Sequence, residues 1–116
     1  MYNALMVQND AVYLKRSQAY ELQDKYDLAL DDACTCLQVN EMCLAAHISK
    51  SKLHLKLGDA NMSIDACNRG LLNDASNHDL QEVLSQAVRK HQYIRYVHLY
   101  FTRVMVMCHK MVFFSF

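Results

Sequence analysis

The apolar and polar positions between residues 10 and 92 follow a helical period. One face is made of positions i, i+3, i+4 and i+7 in each of two segments: Tyr13, Arg16, Ser17 and Tyr20, and then His47, Lys50, Ser51 and His54. Arg16 and Lys50 fit on such a face because a long side chain buries its stem and keeps its charge in water. Polar turns separate the segments, so the pattern predicts five helices, at about residues 10–22, 26–38, 42–57, 60–72 and 77–92.

The same pattern occurs twice in the chain, at a spacing of 34 residues. Matching pairs at this spacing are Ser17 and Ser51, Leu30 and Ile64, Asp31 and Asp65, and Leu37 and Leu71. Each copy consists of two predicted helices joined by a tight turn, which together form an antiparallel helical hairpin. Neither hairpin can bury its apolar face alone, so the stacking of the two copies is expected to supply the core.

A period of 34 residues made of two helices is the signature of the tetratricopeptide repeat, and the chain resembles that family over roughly residues 4–92. The family places small residues where two helices cross, and this chain has them at the corresponding places: Ala29, Ala33 and Cys36, and then Ser63, Cys67 and Gly70. The resemblance implies an all-α fold, an antiparallel helix-hairpin solenoid with a C-terminal capping helix. In its local residue patterns the sequence is most similar to the repeats of cytosolic co-chaperones.

The resemblance also implies a division of the chain into five parts. These are a remnant of a preceding helix at 1–9, a first repeat at 10–43, a second repeat at 44–77, a capping helix at 78–92 and a tail at 93–116. The tail is not assigned to the fold, because its composition changes abruptly at residue 93.

An inner groove is the candidate functional site that the resemblance implies. In arrays of this family the first helix of each pair lines a channel for an extended peptide. The matching positions here are Leu14, Lys15, Gln18, Glu21, Leu22, Ile48, Ser49, Lys52, Leu55 and Lys56. Three lysines against one glutamate suit an acidic or carboxylate-ending peptide. The alternative is that these lysines only solvate an exposed helix face.

Co-chaperones of this family often hold the C-terminal carboxylate of a heat-shock chaperone with a clamp of Asn, Lys and Arg. Such a tail is therefore the partner that the resemblance suggests. The clamp positions differ here, because Lys15, Ala45 and Ser49 stand where the family carries Asn, Lys and Arg. The sequence thus predicts a peptide-binding adaptor with an incomplete carboxylate clamp.

The composition argues against several other classes of protein. Twelve basic and twelve acidic residues cancel, so no net charge attracts the chain to nucleic acid. No serine elbow or phosphate-binding loop is present, and we predict neither catalysis nor a cofactor. The adjacent Asp31 and Asp32 are expected to lie on a solvated helix face, because neighbouring side chains on a helix diverge.

The five cysteines are irregularly spaced and do not resemble a disulfide framework, which favours a cytoplasmic setting. Cys34, Cys36, Cys43 and His47 form a candidate metal cluster. Cys34 and Cys36 are two apart in a predicted helix and point in nearly opposite directions. We therefore expect packing residues instead of metal ligands.

The tail at 93–116 contains three basic residues, no acidic residue and many aromatic ones. Its charges interrupt it too often for a membrane-spanning helix. Three interpretations remain: an extension of the capping helix, a helix on a membrane surface, or the end of a truncated or alternatively spliced product. The abrupt change of composition favours the third. A membrane-surface protein anchored by the tail is the alternative to the peptide-binding adaptor.

Overall fold

The computed structural model describes the backbone of residues 2–114 and the side chains of residues 10–110. All the regular structure in this part is helical. The five helices are α1 (Tyr2–Leu22), α2 (Tyr26–Val39), α3 (Leu44–Lys56), α4 (Ala60–Asn73) and α5 (His78–Phe114). The prediction of an all-α fold is confirmed, and the middle three helices begin and end within two residues of the predicted bounds.

The two outer helices are much longer than the sequence predicted. α1 begins at Tyr2 instead of residue 10, and α5 continues to Phe114 instead of ending near residue 92. The change of composition at residue 93 brings no glycine or proline that would end a helix. Of the three interpretations of the tail, an extension of the capping helix describes its backbone as far as Phe114. The predictions for Met1, Ser115 and Phe116 lie outside the described residues. No helix within residues 2–114 has a stretch long and apolar enough to cross a bilayer.

The helices pack as consecutive antiparallel hairpins. α1 packs on α2 and α3 on α4, while α2 contacts α3 and α4 contacts α5. α3 also contacts both α1 and α5, so these three helices form an inner row and α2 with α4 form an outer row. This arrangement is the predicted helix-hairpin solenoid.

Small side chains let the two helices of each hairpin approach closely. In the first hairpin the fully buried Ser17 donates a hydrogen bond from Oγ to the carbonyl oxygen of Ala29, at 2.7 Å. In the second, Ser63 Oγ donates to the carbonyl oxygen of Ser51, at 2.8 Å. The bond runs in the opposite direction because Ala29, which occupies the position equivalent to Ser63, has no hydroxyl group. Both hairpins thus satisfy a buried hydroxyl at the helix crossing.

The turns inside the hairpins also repeat at the 34-residue spacing. Asp24 has φ 60° and Gly58 has φ 83°, and each follows the first helix of its hairpin. A positive φ costs little at glycine and is tolerated by aspartate better than by most residues. The amides of Lys25 and Asp59 then donate to the carbonyl oxygens of Tyr20 and His54, at 2.9 Å in both cases. Two different residues therefore make the same turn.

A side-chain ion pair fastens the first hairpin. Arg16 donates from Nε and Nη2 to the two carboxylate oxygens of Asp32, each at 2.7 Å. The Asp32 side chain is only 7% exposed, and its hydrogen bonds raise the pKa of the Arg16 guanidinium. The expectation of a solvated Asp31–Asp32 face was therefore wrong for Asp32. Asp32 lies three residues after Ala29 on the stripe that faces α1, whereas Asp31 is exposed.

The core consists of three small clusters of buried side chains. Leu53 packs between the first three helices against Ala29 and Ala33. The second cluster joins α2 to α3 around Cys36, Leu37 and Ala46, with Tyr13 and Leu14 of α1 at its edge. The third joins α3, α4 and α5 around Leu55, Cys67, Val83 and Ala87. The stacking of the hairpins thus supplies the core, as the sequence suggested.

Replacing Ala29 by Leu should destabilise the first hairpin, because Ala29 is fully buried at the helix crossing. We expect Ala29→Leu to lower the free energy of unfolding by about 1–3 kcal/mol. Ala45→Leu makes the same change at an exposed alanine of α3 and should stay within about 0.5 kcal/mol of the wild type. Urea unfolding measures both values, and equal stabilities would contradict the helix crossing described here.

Adjacent aspartates provide a second test. Asp32→Asn removes the carboxylate that Arg16 binds, and we expect the melting temperature to fall by about 5 °C or more. Asp31→Asn removes the same charge from an exposed position and should change the melting temperature by much less. Thermal unfolding followed by circular dichroism compares the two, and similar melting temperatures would mean that the ion pair does not stabilise the hairpin.

Candidate functional site

The inner row of helices α1, α3 and α5 presents the surface on which the predicted groove residues lie. Five of these residues are exposed: Lys15, Gln18, Leu22, Lys52 and Lys56. Four are half-buried: Leu14, Glu21, Ile48 and Ser49. Leu55 is buried and belongs to the core cluster with Val83. Leu14 packs against the core around Cys36, so both leucines stabilise the packing of the helices.

A cavity of about 400 Å³ lies between α3 and α5 on this inner face. Its lining comprises Lys52, Leu55, Lys56, Asp79, Glu82, Val83, Gln86 and Lys90. Three predicted groove residues, all from the second copy, therefore come together in one cavity. The residues predicted from the first copy do not line it.

The α5 side chains in this cavity were missed by the sequence analysis, which treated residues 78–92 as a cap outside the groove. The 34-residue register could have found them. Glu82, Val83, Gln86 and Lys90 lie 34 residues after Ile48, Ser49, Lys52 and Lys56, all of which were predicted groove positions. The first part of α5 therefore lies in the same 34-residue register as the first helices of the two repeats.

One predicted lysine is held by an acidic side chain of the neighbouring hairpin. Lys56 Nζ lies 2.7 Å from Glu21 Oε1, which joins α3 to α1 across the groove. The same ammonium lies 5.2 Å from the centre of the Tyr26 ring. The hydrogen bond to Glu21 raises the pKa of Lys56, because it favours the charged ammonium. Lys56 therefore has less capacity to bind another anion than a free lysine has.

The remaining cations of the cavity are Lys52 and Lys90. Among the described residues neither forms an ion pair. Asp79 and Glu82 give the cavity an acidic margin in the first turns of α5, about 12–16 Å along the helix from Lys90. The cavity is therefore polarised, with acidic residues towards the start of α5 and lysines at the other end.

Comparisons with known proteins agree with this architecture. The chain is 32% identical to heat shock protein STI1 of Saccharomyces cerevisiae over 84 residues, which is 72% of this chain and 14% of the yeast protein. Its fold is similar to the first TPR of Spaghetti (RPAP3) bound to HSP90 peptide SRMEEVD, with a TM-score of 0.71, 17% sequence identity, and coverage of 77% of this chain and 72% of that chain. No family model matches.

The chain has the tetratricopeptide-repeat fold. The family resemblance inferred from the 34-residue period is confirmed by these two comparisons together. The chain spans only 14% of the length of the yeast relative, so the likeness concerns the repeats and not that whole protein. The structural likeness, at 17% identity, supports the fold.

Two of the residues considered as metal ligands, Cys36 and Cys43, pack in the core cluster between α2 and α3, and His47 is buried. Burial raises the pKa of the Cys36 thiol to about 12, so the thiolate that a metal requires is disfavoured. His47 Nε2 lies 2.9 Å from the carbonyl oxygen of Glu41, which engages that nitrogen. Among the side chains from residue 10 to 110, no group of three or more His, Cys, Asp or Glu could hold a metal ion.

A wider depression of about 850 Å³ lies on the opposite side of the array, between α2, α3 and α4. Its basic residues are Lys50, which is half-buried, and Arg69. Arg69 Nε lies 3.2 Å from Asp65 Oδ2 on the same helix, so part of its charge is neutralised. This outer surface therefore provides a useful reference for experiments on the inner groove.

A buried histidine replaces an aromatic residue in the second repeat. His54 occupies the position equivalent to Tyr20 and is only 7% exposed. Its Nε2 atom has no hydrogen-bond partner among the described residues. Burial lowers the pKa of His54, and the nearby charge of Lys50 lowers it further. The folded state thus favours the neutral imidazole.

Stability should consequently decrease with acidification. The unfolded chain binds a proton at His54 as the pH falls below the ordinary value of 6.5, while the folded chain resists doing so. We expect the urea midpoint to fall between about pH 7.5 and about pH 5.5, and to fall less in His54→Gln. The other histidines are common to both proteins, so equal pH dependence would show that His54 is not the group responsible.

Proposed function

We propose that the chain is a non-catalytic adaptor whose inner groove binds an extended acidic peptide that ends in a free carboxylate. The observation that carries this proposal is the cavity between α3 and α5, in which Lys52 and Lys90 are exposed without an acidic partner among the described residues. The five irregularly spaced cysteines, all free, fit a cytoplasmic adaptor.

The peptide in the similar solved structure illustrates the chemistry that would fit. That peptide, SRMEEVD, ends in two glutamates, a valine and an aspartate. The ammonium groups of Lys52 and Lys90 offer charge-assisted hydrogen bonds to such carboxylates. The buried side chains of Leu55 and Val83 form an apolar floor beneath them. The tail of a heat-shock chaperone is therefore the partner that we propose.

The polarity of the cavity also defines a direction for the peptide. Asp79 and Glu82 repel carboxylates at one end, whereas Lys90 attracts them at the other. The acidic end of the peptide should therefore lie towards Lys90, with its preceding residues towards Asp79. A basic residue upstream in the peptide would then meet the acidic margin.

Binding is expected to be weak, in the micromolar range or weaker. The groove is short, and a small interface buries too little surface to hold a peptide tightly. Ala45 and Ser49 stand at two of the clamp positions where related co-chaperones carry basic residues, so fewer charged contacts are available. One of the three cavity lysines, Lys56, is already bound to Glu21.

Isothermal titration with the SRMEEVD peptide tests the proposal. We expect Lys52→Glu combined with Lys90→Glu to weaken binding by at least about tenfold, or about 1.4 kcal/mol. Lys25→Glu combined with Arg69→Glu makes the same change of charge outside the cavity and should leave affinity within about threefold of the wild type. Affinity should also fall with added salt, because exposed charges are screened over about 10 Å at 0.1 M.

A further double variant tests the acidic margin of the cavity. Asp79→Asn combined with Glu82→Gln removes the acidic margin and should strengthen binding of the acidic peptide.

Equal loss of affinity in the two charge-reversal variants, inside and outside the cavity, would show that only net charge matters. Full affinity in the Lys52→Glu, Lys90→Glu variant would place the peptide outside this cavity.

A further inference from the structure

The second half of α5 extends beyond the repeats as a helix that packs on nothing in the described structure. Every side chain from Gln92 to Lys110 is exposed. Large apolar residues are among them, including Tyr93 at 68% and Phe101 at 63% exposure. Soluble proteins rarely expose a continuous apolar surface of this kind unless it binds something.

Most apolar residues of this segment lie on one side of the helix. At 100° per residue, the ten side chains that occupy one arc of about 180° are all apolar or aromatic. Val97 and Val104 lie at the centre of this arc, with Tyr100 towards one edge and Phe101 towards the other. We refer to it as the apolar half of α5.

The opposite side of the segment is polar and basic. It carries Arg95, Arg103 and Lys110, together with Gln92 and Thr102. The chain has no acidic residue after Glu82, so no carboxylate within this segment neutralises those charges. Basic charge therefore accompanies a wide apolar surface along about 28 Å of helix.

We propose that this segment of α5 binds the surface of an anionic lipid bilayer, with its apolar half immersed and its basic side at the headgroups. A helix with basic residues on one face and aromatic and aliphatic residues on the other is suited to the plane of the interface. The three tyrosines Tyr93, Tyr96 and Tyr100 fit there as well, because each has an apolar ring and a polar hydroxyl group.

The width of the apolar half favours a bilayer over a second copy of the chain. One partner helix covers a stripe of about 100°, whereas a flat boundary covers half of a helix. A parallel pair of α5 helices would also bring the same basic residues close together, with no acidic residue to compensate. Anionic headgroups instead supply the complementary charge, because basic residues near the surface of an anionic bilayer are attracted to it.

The charge of the remaining chain would orient the bound protein. Three of the twelve basic residues lie after residue 92, so residues 1–92 hold nine basic against twelve acidic groups. An anionic surface therefore attracts the end of α5 and repels the repeats. The inner groove would remain in solution, and a peptide bound there would be held near the membrane. This membrane role does not depend on the identity of the peptide.

Sedimentation of the full chain with lipid vesicles tests the proposal. The probes are vesicles of phosphatidylcholine alone and vesicles of phosphatidylcholine mixed with phosphatidylserine. We expect the wild type to bind the mixed vesicles at least about tenfold more tightly than the neutral ones, and to lose binding as salt is raised.

Two double variants with the same added charge separate immersion from simple attraction. Val97→Lys with Val104→Lys places the new charges at the centre of the apolar half, and should lower binding to mixed vesicles by at least about tenfold. Leu99→Lys with Val106→Lys places them on the basic side and should bind at least as tightly as the wild type. All four positions are exposed, so both variants should have the same melting temperature as the wild type.

Three results would overturn the proposal. The wild type could fail to bind mixed vesicles, or the Val97→Lys, Val104→Lys variant could bind them as tightly as its control. The third result is a wild-type dimer in sedimentation equilibrium that this variant dissociates, without vesicle binding; that result would assign the apolar half to a second copy. Peptide titration of the same variants distinguishes this failure from a failure of the groove, since neither variant changes the cavity.

Discussion

Close approach of the paired helices is the constraint on which the rest of the structure depends. The helices can cross only because Ser17, Ala29, Ser51 and Ser63 are small, and each crossing also contains a buried hydroxyl that needs an acceptor on the opposite helix. The distance between the hairpins then follows from the few large core residues, such as Leu53. These contacts also set the distances between the helices of the inner row, and therefore the width of the cavity between α3 and α5.

The sequence predicted the repeating parts of the fold well, because the same physical requirement appears in both repeats. Small residues, turn residues and hairpin lengths recur at 34 residues, and their agreement outweighs local ambiguity. What the repeat does not encode was harder to predict. The bond between Arg16 and Asp32 has no counterpart in the second hairpin, where Lys50 and Ala66 stand at the equivalent positions, so no repetition pointed to it.

The groove was predicted only in part for a related reason. Family positions located Lys52 and Lys56, but the neighbouring surface comes from α5, whose sequence looks little like a repeat apart from its register. Its buried stripe of Leu80, Val83 and Ala87 satisfies the packing requirement without the usual residues. The length of α5 could not be inferred from composition, since a change from leucine to aromatic and β-branched residues alters what a helix contacts but does not end it.

The bond between Glu21 and Lys56 means that the groove already contains a carboxylate of its own. A ligand that approaches Lys56 must exchange one carboxylate for another, and such an exchange yields little net electrostatic free energy. Discrimination between ligands would therefore depend on Lys52 and Lys90, which bind no carboxylate among the described residues, and on the shape of the cavity around them. The first hairpin, which supplies Glu21, would thereby take part in selecting the proposed peptide for a cavity that it does not line.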